Sequence, residues 1–114
     1  MKQIEELTPV GAGWRLVSGA AQGAPDARAQ SLVTGNEQRP YRVATWRGEP
    51  GLYPRKTGMP WSETYVVYKG AGRITSESGT IELGPGTIVS LPVGKPYTME
   101  IFDTLEKMAI ITEE

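Results

Sequence analysis

The chain has 114 residues, with twelve basic and thirteen acidic side chains and neither cysteine nor histidine. That balance gives no field to draw in nucleic acid or an anionic membrane surface. The missing residue types exclude disulfides, thiolate sites, the usual zinc and iron ligand sets and every Ser-His-Asp or Cys-His mechanism.

One domain is expected at this length, with a core that needs no covalent staple. No apolar run approaches the ~20 residues of a membrane span, and the opening MKQIEELTPV lacks the basic-then-apolar layout of a signal peptide. A soluble cytoplasmic protein is the expectation.

Residues 1–40 differ in texture from the rest of the chain and read as an N-terminal arm packed on a barrel of residues 41–114. Within the arm, residues 14–17 form a short strand candidate. Residues 18–29, SGAAQGAPDARA, have no apolar periodicity and read as a loop, with a short strand after it at 31–34. Beyond residue 40 the pattern is strand and turn. Residues 41–46 alternate and are rich in β-formers, ending at the turn Gly48-Glu49-Pro50-Gly51. Residues 63–68 form a strong strand that Lys69-Gly70-Ala71-Gly72 is expected to stop. Residues 73–76 and 80–83 flank Glu77-Ser78-Gly79, a hairpin signal. Strands at 87–91, 97–101 and 105–111 complete the set. Short strands without intervening helices indicate an all-β sandwich or barrel.

The spacing of turn residues says more. Gly51 is followed at fixed intervals by Thr57, Met59, Glu63 and Gly70, and Gly86 by Pro92, Gly94 and Tyr97. This frame resembles the two halves of the cupin signature, G-x5-H-x-H-x3-E-x6-G and G-x5-P-x-G-x2-H. The glycines, the proline and Glu63 are in register, and the histidine positions hold Thr57, Met59 and Tyr97. The resemblance covers about residues 41–112 and is strongest to the small single-domain branch that includes ureidoglycine aminohydrolase and the ethanolamine-utilisation cupins. It rests there on Trp61-Ser62-Glu63-Thr64-Tyr65-Val66-Val67 and on the late strand Leu105-Glu106-Lys107-Met108-Ala109-Ile110-Ile111. It implies a jelly-roll β-sandwich and a homodimer.

The resemblance also implies an inward site of three imidazoles and one carboxylate. This chain offers Thr57, Met59, Tyr97 and Glu63 instead: a hydroxyl, a thioether, a phenol and one hard anion. Hard oxygens and a thioether select different ions, so a metal-free protein without cofactor is expected. Residues 63, 65 and 67 share one strand face, which sets Glu63 and Tyr65 inside the barrel. An interior carboxylate must pair with a cation, accept hydrogen bonds or take up a proton. Arg42, Arg55, Lys56, Arg73 and Lys107 are the candidate cations, and the hydroxyls of Tyr65 and Tyr97 the candidate donors.

Three readings of function stay open. The first is a pocket binding a small polar metabolite, a sugar derivative or carboxylate, through Arg42, Thr57, Met59, Trp61 and Tyr65. The second is a metal-independent isomerase, epimerase or lyase with Glu63 as base and Tyr97 as acid. The third is a structural cupin whose pocket is filled by its own side chains.

Overall fold

The computed structural model describes residue 4 and residues 6–9, 13–17, 24–33 and 40–112. Eight strands are present among them: β1 Arg15–Leu16, β2 Ala27–Val33, β3 Arg42–Gly48, β4 Gly51–Arg55, β5 Ser62–Ser76, β6 Gly79–Leu83, β7 Ile88–Leu91 and β8 Tyr97–Thr112. Every pairing is antiparallel. Among the described residues, no helix is long and apolar enough to cross a membrane.

Two long strands organise the molecule. The first half of β5 pairs with β7 on one side and with the second half of β8 on the other. Its second half pairs with β6 and with the first half of β8. β8 in turn pairs with β3 along its second half and with β4 along its first. The result is two layers, β2-β3-β8-β5-β7 and β4-β8-β5-β6, joined because β5 and β8 run through both. β1 extends the first layer beyond β2.

The expected stop at residues 69–72 is a bend instead. The ladder between β5 and β8 shifts register between Val67 and Gly72, and β5 continues to Ser76. Gly70 has φ +93°, and a Cβ there would collide with the carbonyl oxygen of Thr104. The glycine therefore lets the strands cross closely and turn the corner, a bulge and not a terminus. The expected strands at 97–101 and 105–111 are likewise one strand.

β4 was not expected, because the sequence around it reads as turn. Pro54 is tolerated since β4 is an edge strand paired only with β8. β2 starts four residues earlier than the expected strand at 31–34 and takes in residues 27–29, where the sequence pattern points to loop. The loop assigned to residues 18–23, and Thr34, lie outside the described residues.

Alternation along β5, β7 and β8 fills the space between the layers. Tyr65, Val67 and Leu105 are fully buried, and Ile74, Leu83, Val89, Met99 and Ile101 pack around them. Each such side chain contributes roughly 1.5–3 kcal/mol of burial. The outer face of the first layer leaves Ile88 and Ile110 exposed.

Candidate functional site

Glu63 and Lys107 are the only charged side chains buried in the core among the described residues. Both point between the layers because they share strand parity with Tyr65 and Val67 on β5 and with Leu105 and Ala109 on β8. Lys107 lies directly opposite Val67, so its backbone is four residues, ~13 Å, along the ladder from the level of Glu63. The two side chains close that distance by reaching toward each other over Tyr65, whose opposite partner on β8 is the small Ala109. The ammonium ends 3.5 Å from Glu63 Oε2. It lies 3.8 Å from the centre of the Tyr65 ring and 5.2 Å from that of Trp46, where the ring faces attract a cation.

The other carboxylate oxygen is also engaged. Trp61 Nε1 donates to Glu63 Oε1 at 2.9 Å, and the guanidinium of Arg42 stacks over the Trp61 ring at 4.6 Å. A chain of contacts thus runs from Arg42 through Trp61 and Glu63 to Lys107. Burial pushes the Lys107 amine below its ordinary value, while Glu63 pulls the other way. The Tyr97 phenol is pushed up to about 12, chiefly by burial and secondly by the Glu63 charge, and Arg55, hydrogen-bonded to it, opposes the shift. Tyr97 is therefore a neutral donor at physiological pH. Burial also raises Tyr65, whose hydroxyl has no hydrogen-bond partner among the described residues.

These groups front a cavity of about 480 Å³ between the layers. Arg42, Met59, Trp61, Glu63 and Tyr97 line it, as do Arg55, Trp46 and Lys107. A pocket filled by its own side chains is not what this geometry gives. Two expected ligand-binding residues are elsewhere. Thr57 is exposed in the turn after β4 and does not line the cavity, and Tyr65 lies in the core beneath the Lys107 ammonium. Arg55, one of the five candidate cations, stands on the wall, and Trp46 is a wall residue that the sequence reading leaves out, although alternation along β3 places Arg42, Ala44 and Trp46 on one face.

The donor set does not fit the metal site that the cupin resemblance implies. Both oxygens of Glu63 are occupied by Lys107 and Trp61, Thr57 faces solvent, and Tyr97 is held as a neutral phenol. Among the described residues, no group of three or more His, Cys, Asp or Glu side chains comes together. The chain's own Lys107 supplies a positive charge 3.5 Å from Glu63.

A jelly roll with a walled cavity between its layers has close structural counterparts. The chain resembles a cupin-2 domain protein of Rhodospirillum rubrum, with a TM-score of 0.69 at 15% identity over 100% of this chain and 78% of that one. This is the cupin fold. The EutQ protein of Clostridium difficile superposes with a TM-score of 0.69 at 12% identity, covering 81% of this chain and 71% of its own. A predicted oxalate decarboxylase of Thermotoga maritima gives 0.67 at 19% identity over 96% and 95%. No protein-family model and no curated protein matches the sequence. The cupin likeness read from glycine and proline spacing is thus shown as fold.

Proposed function

We propose that this cupin binds a small organic anion, a carboxylate or sugar acid, in the cavity between its layers and without a metal ion. The observation that carries the reading is the charge of the wall: Arg15, Arg42, Arg55 and Lys107 against the single carboxylate Glu63 among the described lining residues. Guanidinium groups suit carboxylates because their paired N–H donors match the two oxygens. Trp46, Trp61 and Met59 supply the apolar wall such a ligand needs for its carbon skeleton. Calorimetry against a panel of small carboxylates and sugar acids tests the reading. Arg55→Gln should weaken the best ligand by about tenfold or more. A panel without any binder, or binding indifferent to both Arg42→Gln and Arg55→Gln, would sink it.

A catalytic role for Glu63 and Tyr97 is the second reading, and one observation favours it. A carboxylate and a neutral phenol front the same cavity and are close enough for the Glu63 charge to raise Tyr97. A bound anion that exchanges deuterium or epimerises in the wild type, and not in Tyr97→Phe, would move the reading from binding to proton transfer.

We also propose that the chain pairs as a homodimer across the outer face of the first layer. Ile88 is 69% and Ile110 42% exposed there, with Tyr68 on the same side of β5 as Val66. Sedimentation should give twice the chain mass, and Ile110→Asp should return it to one chain. A monomeric wild type would refute the pairing.

A further inference from the structure

The arginines on the same wall already suit an anion, and a core of this size does not require a buried lysine. The Lys107 amine nevertheless lines the cavity, 3.5 Å from a carboxylate and against two aromatic rings. That is the arrangement a carbonyl-capturing amine needs: a nucleophile held in a dry site, with a proton carrier in contact. We propose that Lys107 forms an imine with its ligand, which makes the ligand class a 2-oxo acid. This rests on the anion-binding reading above and specifies it.

The step balances within the groups present. Nζ attacks the carbonyl carbon as Glu63 takes a proton from the ammonium, and the new C–N bond gives a carbinolamine. The oxygen takes one proton from the attacking nitrogen as the carbinolamine forms and a second returned by Glu63, and the C–O bond breaks to release water. Ammonium and ketone have become iminium and water, with the positive charge unchanged. Charge conservation matters here, since Glu63 is only 5% exposed and keeps a cationic partner on both sides of the step. The ligand carboxylate remains for Arg42 or Arg55, which line the same cavity. Tyr97, a neutral phenol on that wall, can donate to the departing oxygen.

Reductive trapping decides the matter. The full chain is incubated with pyruvate or 2-oxoglutarate and sodium cyanoborohydride, digested and mapped by mass spectrometry. The peptide bearing Lys107 should gain the reduced adduct at least roughly tenfold faster than those bearing the exposed Lys56, Lys69 and Lys95, because a positioned amine gains effective concentration. Labelling at Lys107 no faster than at those three overturns the proposal, and the wild-type map suffices even if Lys107→Arg does not fold. Calorimetry with lactate and malate, which lack the carbonyl, separates the two readings. Their binding without Lys107 labelling would leave the anion site and remove the imine. Absence of both binding and labelling would remove the two together.

Discussion

The two ends of the β5–β8 ladder are built alike and filled differently. Beyond the bend, residues 72–75 face 98–101, and the inward side chains are Ile74, Leu83, Met99 and Ile101, all apolar, with Met99 reaching the cavity wall. Before the bend, residues 62–67 face 107–112, and the same inward parity carries Glu63 and Lys107. Alternation alone would accept a hydrophobe at both positions. A buried ion pair is seldom a gain over well-packed apolar residues, because the desolvation of two charges offsets their attraction. The difference marks the pocket end as the place where buried charge is not accounted for by packing alone.

Converting one end into the other gives the largest effect. Lys107→Met leaves Glu63 buried without its cation and should destabilise the fold by about 3–5 kcal/mol in denaturant titrations. Adding Glu63→Leu should recover most of that loss, since the pocket end would then resemble the apolar end. The double variant should keep its fold, and lactate or malate should still bind through the arginines of the wall. If both single variants cost under ~1 kcal/mol, the pair is solvated and the contrast between the two ends is wrong.

The sequence exposed this contrast only in part. Glycine and proline spacing made the cupin frame legible because corners and turns constrain the backbone, and those constraints survive where side chains have changed. Gly70 was correctly marked as special, yet read as a stop, since a strand that bends and one that ends use the same residue. Glu63 was found because its parity with Val67 is local. Its partner was only one of five candidate cations, because the contact reaches diagonally across four residues of ladder and depends on Ala109 leaving the path clear. The donor Trp61 is two positions away and enters the sequence reading as a ligand contact, although its ring nitrogen is what holds Oε1. Thr57 was misplaced for a different reason. The turn at residues 56–58, with Gly58 at φ +68° packed on the backbone of Gly94 and Lys95, interrupts strand parity. Motif spacing counted through it therefore says nothing about which way Thr57 points.

A smaller effect comes from pH and sets two groups of the cavity wall against each other. Tyr97 on the pocket wall has its phenol raised from an ordinary value of 10 to about 12, mainly by burial. Below pH 10 the phenol is protonated in folded and unfolded chains alike, and its contribution to stability is complete. Between pH 10 and about 12 the unfolded chain releases the proton first, so stability falls as pH rises. Lys107 works in the opposite sense, because its lowered value makes the unfolded chain the tighter proton binder, and stability from that group grows with pH. Tyr97→Phe removes the first contribution and leaves the second. Its loss of stability between pH 9 and pH 12 should therefore be shallower than that of the wild type by on the order of 2 kcal/mol. Leu105→Ala, at the buried corner beyond the pocket, removes no titrating group and should lower stability by the same amount at both pH values. An alkaline slope unchanged by Tyr97→Phe would mean that the phenol is open to water, and that the pocket end is wetter than its buried ion pair implies.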